Sequence, residues 1–278
     1  MERREAIEKS IMKTYRKAIW SPFLSAVREY ALIRPGDRVA VCISGGKDSM
    51  LMAMCMQALQ KYEIYPFEVK FLVMDPGYNP INRKRIEMNA ETLGIPIDIF
   101  ETDIFEVVAN EDHSPCYLCA KMRRGYLYRH AQSMGCDKIA LGHHFDDVIE
   151  TVLLSLFYGA QIQSMAPKVK SANVPGMELI RPLYKVREDD ILRWRSHNDL
   201  AFIQCACRFT ENCTMCAGGG GASKREEVKR LIKTLKRDNP NVDRNIFTAV
   251  HNVSLDTLIR WKFKGSEHSF LDEYDAGE

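Results

Sequence analysis

Residues 44–49 have the composition of an anion-binding loop, with serines, glycines, a lysine and an aspartate in consecutive positions. The segment follows a short apolar run rich in β-branched residues and precedes a helical pattern. It is therefore predicted to lie at the amino end of a helix, where backbone N–H groups and the helix dipole favour bound anions. The predicted phosphate-binding residues are Ser44, Gly45, Gly46, Lys47, Asp48 and Ser49.

The residues around the two glycines indicate which class of phosphate-binding loop this segment can form. Adjacent glycines let the backbone approach a phosphate closely and adopt positive φ, and the lysine adds a cation. The Walker A pattern is not satisfied, because Val41 stands where its first glycine would be and Asp48 follows the Gly-Lys pair. A kinase-like or GTPase-like loop is thus disfavoured. The ordinary alternative is a strand-to-helix turn with a capping serine.

The nine cysteines divide into metal-ligand and core types. No signal peptide is recognisable, so reduced thiols are expected rather than disulfides. Cys116 and Cys119 form a CxxC pair at the start of a predicted helix, where both sulfurs can chelate Fe or Zn and the helix dipole lowers the thiol pKa. Further ligands are available from Cys205, Cys207, Cys213 and Cys216. The cysteines expected in the core are Cys42, Cys55 and Cys136.

A second strand-to-helix junction, at 142–147, carries histidines and carboxylates. The carboxyl ends of parallel strands are where such folds bind ligands. Asp48 of the first loop or Asp147 could bind Mg²⁺, directly or through water. The junction aspartates could instead serve only as favourable charges at a helix amino end. His143 and His144 are expected to contact phosphate or nucleobase, or to satisfy buried hydrogen bonds.

The elements that must position these residues follow from hydrophobic periodicity. Residues 3–31 have helical apolar spacing and predict an amphipathic N-terminal helix, with a break near Ser21-Pro22. Strands alternating with helices then imply an α/β fold, a parallel sheet with helices on both faces. The predicted strands are 38–44, 67–75, 95–101 and 137–143, and the predicted helices are 47–62, 80–93 and 146–158.

The remainder of the chain has weaker patterns. Residues 160–178 contain two prolines and little periodicity, which predicts a long loop near the site. From about residue 187 the pattern is mostly helical, interrupted by the cysteine-rich stretch 205–221. The predicted division is an N-terminal helical segment at 1–34, an ATP-binding domain at 35–200 and a smaller cysteine-containing, mainly helical C-terminal region at 201–278.

Composition places the chain among globular proteins. With 278 residues, 46% hydrophobic and 27% charged, it can bury one large core, or a main domain with a small appendage. No segment offers the roughly eighteen apolar residues that a bilayer span requires, so a cytoplasmic protein without membrane contact is predicted. The net charge of +2 does not by itself indicate a nucleic-acid binder, so the distribution of charge must decide.

Basic residues are concentrated in two clusters. The first follows the CxxC pair and interleaves cations for phosphates with rings for stacking: Lys121, Arg123, Arg124, Tyr126, Tyr128 and Arg129. The second comprises Lys224, Arg225, Lys229, Arg230, Lys233, Lys236 and Arg237. A solvated helix face is the ordinary explanation for either cluster alone. Because the two flank the proposed metal ligands, together they predict an RNA-binding surface.

Four segments, in order, resemble one enzyme family. Ser-Gly-Gly-Lys-Asp-Ser at 44–49 resembles the PP-loop of the N-type ATP pyrophosphatases, which cleave ATP between the α and β phosphates and adenylate a carbonyl or carboxylate oxygen. The segments 116–131, 138–159 and 180–191 look like successive motifs of the tRNA 2-thiocytidine synthetase family, TtcA. Together these motifs cover most of residues 35–260.

This resemblance implies an adenine nucleotide α-hydrolase-like fold and a tRNA-modifying enzyme. The loop would bind ATP with Mg²⁺, and the target would be a cytidine in the anticodon loop whose C2 oxygen is replaced by sulfur, with AMP and pyrophosphate released. A [4Fe-4S] cluster held by three cysteines would deliver the sulfur, with zinc as the alternative metal. The expected partners are tRNA and a sulfur donor such as a cysteine desulfurase, and a homodimer is compatible with the sequence.

The resemblance also assigns residues. Cys116 and Cys119 match the first two cluster ligands, and Cys216 is taken as the third. This sequence departs from the family there, because CACRFTENC stands inserted before the second CxxC, so another of the four C-terminal cysteines could take that role. The predicted catalytic residues are Cys116, Cys119, Cys216 and Asp48. The remaining expected ATP contacts are Met74 and Asp75, at the end of the second strand, with Gly142, His143 and Asp147.

Three other functions are compatible with parts of the sequence. Thiolation of another tRNA base, as in the 2-thiouridine enzymes, would use the same loop, but many of those enzymes carry cysteine pairs near both termini and the first fifteen residues here contain no cysteine. A lysidine-forming ligase would use an amine nucleophile and need no CxxC. A zinc-stabilised RNA-binding module without turnover would explain the cysteines and the basic clusters, but not the loop.

Overall fold

The structure is a computed structural model that describes residues 2–62, 66–109, 115–203 and 224–274. Its main sheet has six strands: β1 (Arg38–Ile43), β2 (Glu68–Asp75), β3 (Ile97–Glu101), β4 (Lys138–Ala140), β5 (Lys168–Lys170) and β6 (Glu178–Ile180). Their spatial order is β3-β2-β1-β4-β6-β5, and every neighbouring pair is parallel except β5 with β6. The predicted parallel sheet is therefore confirmed, with one antiparallel edge strand added.

Helices connect and flank these strands. They are α1 (Arg3–Lys9), α2 (Ser21–Glu29), α3 (Lys47–Lys61), α4 (Pro80–Leu93), α5 (Ile104–Ala109), α6 (Pro115–Ser133), α7 (Phe145–Gly159), α8 (Glu188–His197), α9 (Lys224–Asp238), α10 (Val242–Ala249) and α11 (Leu271–Tyr274). A hairpin of β7 (Arg260–Phe263) and β8 (Ser266–Ser269) lies before α11. The mainly helical C-terminal region is confirmed, although the sequence analysis did not predict this hairpin.

The N-terminal segment is mainly helical as predicted, but the predicted break near Ser21-Pro22 is wrong. Two π-helical turns, Ser10–Thr14 and Arg16–Trp20, join α1 to α2. The backbone leaves helical geometry at Tyr15, where φ is −100° and ψ is 20°. Pro22 lies in the first turn of α2, where a missing N–H costs no hydrogen bond and the ring presets a helical φ.

The predicted loop at 160–178 is wrong in part, because β5 lies inside it. Lys168 pairs with Ile180 and Lys170 with Glu178, so the chain turns back on itself and adds an edge to the sheet. Both strands are three residues long. So short a strand shows too little alternation of apolar and polar residues for the pattern to be recognised in the sequence.

The largest core forms around α3 and the first two strands. Every residue of β1 after Arg38 is buried, which explains its unbroken apolar run. Helix α3 is buried on all sides from Ser49 to Met56, because the sheet covers one side and the N-terminal helices and α8 cover others. Each fully buried large apolar side chain contributes roughly 1.5–3 kcal/mol. The loop between β1 and α3 therefore stands on a closely packed base.

Candidate active site

The loop between β1 and α3 has a backbone conformation that requires glycine at position 45. Gly45 has a φ of +82°, in the left-handed region that residues with a β-carbon rarely adopt. A β-carbon at this position would lie 2.6 Å from the Ile86 side chain and 2.7 Å from that of Ile203. The chain can thus make this turn only because residue 45 has no side chain.

The serines of the loop hold the turn closed. The backbone N–H and the hydroxyl of Ser44 each donate to Ser49 Oγ at 3.2 Å, and Ser49 Oγ donates to the Gly46 carbonyl at 3.0 Å. Gly46 is the residue before α3 and offers no side chain to cap the helix. The first-turn amides of α3 therefore have no side-chain cap, and the helix presents the donor arrangement that binds phosphate.

The junction between β4 and α7 differs from the β1–α3 loop, because a carboxylate of α7 itself accepts a hydrogen bond at the start of that helix. Asp147 Oδ2 accepts from the His144 N–H at 3.0 Å. The buried His144 ring lies among three carboxylates, 3.5 Å from Asp147, 3.7 Å from Asp146 and 3.9 Å from Asp48. Asp146 in turn accepts from the Glu188 N–H at 2.7 Å and so fixes the start of α8.

The two junctions meet at Gly142. A β-carbon on Gly142 would lie 3.0 Å from the Ser49 backbone nitrogen and 3.1 Å from the Asp48 carbonyl carbon, so glycine lets the two turns touch. A cavity of about 300 Å³ opens where they meet. It is lined by Cys42, Ile43, Ser44, Asp48, Ser49, Met74, Tyr78, Arg123, Leu127, Leu141, Gly142, His143 and Asp147.

The cavity brings together seven of the residues that the sequence analysis singled out: Ser44, Asp48, Ser49, Met74, Gly142, His143 and Asp147. Asp75 does not line it. Its carboxylate accepts from the N–H groups of Gly77 (2.9 Å) and Tyr78 (2.6 Å) and pairs with Arg83 at 2.7 Å. Asp75 thus shapes the turn that carries Tyr78 to the cavity wall.

Lys47 is also directed away from the cavity lining. Its ammonium group lies 3.0 Å from Glu188 Oε1 and 3.1 Å from Asp48 Oδ2. Burial alone would lower the pKa of Lys47, but the two carboxylates outweigh it and raise that pKa, so the lysine stays charged. The loop cation is therefore held in an ion-pair network.

His143 and Asp147 of the β4–α7 junction both line the cavity, and they differ in protonation. Burial lowers the pKa of His143 to about 4, which leaves the ring neutral at physiological pH. Burial by itself would raise the pKa of Asp147. The nearby His144 ring and the hydrogen bond from the His144 backbone N–H outweigh burial and lower that pKa, so Asp147 stays ionised. Asp48 Oδ1 is buried without a hydrogen-bond partner among the described residues. Such an unused acceptor oxygen suits a bound cation.

Arg123 is a cavity residue that the sequence analysis assigned only to RNA binding. It lies on α6, four positions after Cys119, so the two share one helix face. Its Nε is buried without a hydrogen-bond partner in the described part of the chain. Burial raises the pKa of the neighbouring Tyr78 hydroxyl, and Arg123 and Cys119 are among the charges that act on it. The i, i+4 spacing was the signal that could have identified Arg123.

The predicted metal ligands are described only in part. Helix α6 begins at Pro115, so Cys116 and Cys119 stand in its first two turns as expected, and the Cys119 side chain is half-buried. Nothing is described of the Cys116 side chain, and Cys205, Cys207, Cys213 and Cys216 lie outside the described residues. Within the described ranges no three His, Cys, Asp or Glu side chains form a metal-binding group.

The cysteines expected in the core are buried. They are Cys42, Cys55 and Cys136. Burial raises the pKa of each thiol, that of Cys42 to about 12, so these sulfurs stay protonated. Cys42 additionally contributes to the wall of the cavity.

The second basic cluster forms helix α9 and is partly engaged inside the molecule. Arg225 pairs with Asp147 at 3.1 Å, and Lys229 pairs with Glu188 at the same distance. Lys236 pairs with Asp243 at 2.7 Å. Three members of the cluster thus bind the protein's own carboxylates.

The helices of the described residues include none that is both long and apolar enough to cross a membrane.

The fold and the loop define a PP-loop protein. The family model described as PP-loop domain matches residues 12–207. A tRNA-cytidine(32) 2-sulfurtransferase of Citrifermentans bemidjiense is 37% identical over 232 residues, covering 82% of this chain and 87% of that protein. One of Coxiella burnetii (strain Dugway 5J108-111) is 35% identical over 245 residues, covering 86% and 92%. The chain belongs to the tRNA-cytidine(32) 2-sulfurtransferase family.

A solved structure shares the fold. The U34-tRNA thiolase NcsA from Methanococcus maripaludis, described with its [4Fe-4S] cluster, superposes with a TM-score of 0.64. The match covers 84% of this chain and 79% of that one, at 21% sequence identity. The predicted adenine nucleotide α-hydrolase-like arrangement of sheet and helices is therefore confirmed.

Proposed function

We propose that this protein is an ATP-dependent tRNA sulfurtransferase that adenylates the C2 carbonyl of an anticodon-loop cytidine and replaces its oxygen with sulfur. The observation that carries the proposal is the cavity at the β1–α3 loop, because Arg123 lines it from the same helix face that bears Cys119. The relatives' activity on cytidine 32 of tRNA supports this choice of substrate. Phosphate-binding and thiolate groups thus serve one reaction centre.

ATP would lie with its phosphates at the amino end of α3. The uncapped amides there, with the hydroxyls of Ser44 and Ser49, would donate to phosphate oxygens. Mg²⁺ would bind Asp48, whose Oδ1 has no hydrogen-bond partner among the described residues, and Asp147, directly or through water. Met74 supplies apolar surface beside the nucleotide. These residues align the α-phosphate with the attacking carbonyl oxygen, which is the main source of rate in phosphoryl and nucleotidyl transfer.

The sulfur half of the reaction would depend on the cysteines. Thiolates are the ligands of iron-sulfur clusters, and Cys119 stands on the helix face that reaches the cavity, so the donor set fits such a group. Cys116, Cys119 and Cys216 would hold a [4Fe-4S] cluster, which supplies the sulfur when bound. Zinc on the same thiolates would be the alternative. Arg123 is placed to hold the negative phosphate of the activated base near that face.

The remaining features are assigned to substrate handling. In this proposal residues 1–34 support the core, 35–200 bind ATP, and 201–278 supply the third cysteine and part of the tRNA surface. We propose a cytoplasmic protein that works with a sulfur donor such as a cysteine desulfurase. A homodimer is compatible with this arrangement.

Replacing cysteines separates the two halves of the reaction. We expect Cys116→Ala and Cys119→Ala each to abolish thiolation of tRNA while leaving ATP binding close to normal. Cys136→Ala is the matched control, because it removes a buried thiol that does not line the cavity. The measurements are mass spectrometry of tRNA nucleosides for 2-thiocytidine and the dissociation constant for ATP. Loss of ATP binding in the Cys116 variant would contradict the division of roles, and a thiolated uridine in place of thiolated cytidine would contradict the substrate.

A further inference from the structure

Helix α9 is fixed to the α/β core by an apolar contact. Val228 and Ile232 of α9 are buried against Phe145, Ile149 and Leu153 of α7. This contact sets which sides of α9 face the protein and which face solvent. The seven basic residues of α9 are consequently distributed over chemically different surroundings.

One flank of α9 is tied to the nucleotide loop by a chain of ion pairs. Arg225 pairs with Asp147, and Lys229 lies 3.1 Å from Glu188 Oε2 and 3.6 Å from Glu150 Oε1. Glu188 in turn pairs with Lys47 of the loop at 3.0 Å. The position of α9 is thereby set relative to the ATP site.

The side of α9 that faces away from its apolar contact with α7 carries a row of cations that we name the outer stripe, consisting of Arg230, Lys233 and Arg237. Spacings of three and four residues place these side chains on one helix face. All three are exposed, and none makes an ion pair or hydrogen bond with any residue in the described part of the chain. Some other exposed arginines are paired, such as Arg260 with Glu267 and Arg193 with Asp190, so the stripe is distinguished by three such cations in a row on one helix face.

We propose that the outer stripe binds the phosphate backbone of the tRNA substrate, an inference that rests on the proposed function. Seven residues of helix span about 10 Å at ~1.5 Å per residue. That length is about three nucleotides of a stacked strand at ~3.4 Å each. Two of the three cations are arginines, whose planar fork matches phosphate oxygens.

Position favours RNA over an acidic protein partner. The same helix binds Asp147, which lines the cavity, and Glu188, which pairs with Lys47 of the loop. Because these ion pairs fix α9 relative to the cavity, an RNA backbone held on its outer face would be held in a fixed position relative to that site. The outer stripe would contact phosphates and not bases, so it would contribute to affinity for tRNA and not to sequence specificity.

The test compares two triple variants of the full-length protein, each lacking three positive charges. The first is Arg230→Gln/Lys233→Gln/Arg237→Gln. The matched control is Lys9→Gln/Lys13→Gln/Lys17→Gln, three exposed lysines of the N-terminal helical segment, two of which lie beside Lys61 at the far end of α3 from the loop. Glutamine is a good helix former, so α9 is expected to stay folded.

The measurement is the dissociation constant for an unmodified tRNA transcript at increasing KCl concentration. Each phosphate contact contributes about 0.7–0.9 to the slope of log K against log salt, so loss of three contacts should reduce the slope by about 2–3. The outer-stripe variant should bind tRNA at least about tenfold more weakly at low salt, where such contacts are strongest. Its ATP affinity should match that of the unmodified protein and of the control.

The other outcomes each decide the matter. An unchanged slope in the outer-stripe variant, or an equal reduction in the control, overturns the inference and leaves the proposed function standing. Unchanged tRNA binding with loss of sulfur transfer from a cysteine desulfurase assigns the stripe to an acidic protein partner and also overturns it. Failure of the unmodified protein to bind or thiolate tRNA overturns the proposed function together with the inference.

Discussion

The β1–α3 and β4–α7 junctions share one topology and have opposite chemistry. In the first, Gly46 precedes the helix and leaves the first amides of α3 without a side-chain cap. In the second, Asp147 accepts the N–H of His144 and closes the amino end of α7 with a carboxylate. The same strand-to-helix turn therefore presents donors for an anion in one case and acceptors for a cation in the other.

The two junctions touch at Gly142, so the donors of the first and the carboxylates of the second lie at the same cavity. A polyphosphate bound at α3 brings several negative charges close to Asp48 and Asp147, which is favourable only with a divalent cation between them. The lysine of the first junction is already engaged by Glu188 and Asp48, so it cannot neutralise the phosphates alone. In the proposed function, the pair of junctions would therefore hold a metal-bound nucleotide rather than a free one.

Substitution at Gly45 should have the largest effect, because it removes the donor junction altogether. In Gly45→Ala the left-handed φ costs about 1–2 kcal/mol, and the collision with Ile86 and Ile203 adds about 1–3 kcal/mol. We expect a lower free energy of unfolding and no detectable ATP binding. Gly36→Ala is the control, since Gly36 has a φ of +87° with open space around it. Gly36→Ala should lose only the roughly 1–2 kcal/mol that the left-handed φ costs. An equal loss of stability and of ATP binding in both variants would contradict the proposed collision with Ile86 and Ile203.

Substitution at Gly142 tests whether the junctions must touch. A methyl group in Gly142→Ala would press on the Ser49 nitrogen and Asp48 carbonyl carbon, which are backbone atoms and yield only if the loop shifts. We expect ATP affinity to fall about tenfold and the free energy of unfolding to fall by about 1–2 kcal/mol. Gly125→Ala, where a β-carbon meets no atom within 4 Å, is the control. Normal ATP affinity in the Gly142 variant would show that the contact is dispensable.

Neutralising Asp147 tests the acceptor junction. Asp147→Asn keeps an oxygen for the His144 N–H but removes the charge, so the Mg²⁺ concentration for half-maximal pyrophosphate release should rise about tenfold or more. Asp146→Asn is the control, because Asp146 caps α8 and does not line the cavity. It should alter stability more than Mg²⁺ dependence. The same Mg²⁺ curve for both variants would remove Asp147 from the cation site.

His143 gives the smallest effect at neutral pH, where its ring is mostly uncharged in both the folded and the unfolded chain. Its pKa falls from 6.5 to about 4 on folding. Between these values the unfolded chain binds the extra proton, so the free energy of unfolding decreases as pH falls, by up to about 1.4 kcal/mol per unit. His143→Gln should lack this contribution in urea unfolding from pH 7 to 4.5. The exposed His197→Gln should retain it, and an unchanged slope in the His143 variant would contradict the burial effect.

Local patterns predicted the sheet and the site loop, and tertiary contacts account for the errors. The apolar run of β1 and the glycines after it are visible in the sequence because their roles depend on adjacent residues. Strands β5 and β6 were missed because three residues are too few to show a pattern, so each strand is recognised only by its pairing with another strand. The loop lysine, Lys47, was expected on phosphate and lies on Glu188, a residue 141 positions away.

The sequence by itself determined strands β1 to β4 with helices α3, α4 and α7, the phosphate loop and the CxxC pair, because each depends on neighbours a few residues apart. Only the tertiary structure decided that Arg123 enters the cavity, that Asp75 shapes a turn outside it, and that three of the seven basic residues of α9 pair with the protein's own carboxylates. The reason is that these outcomes follow from which surfaces the packing of distant elements leaves open.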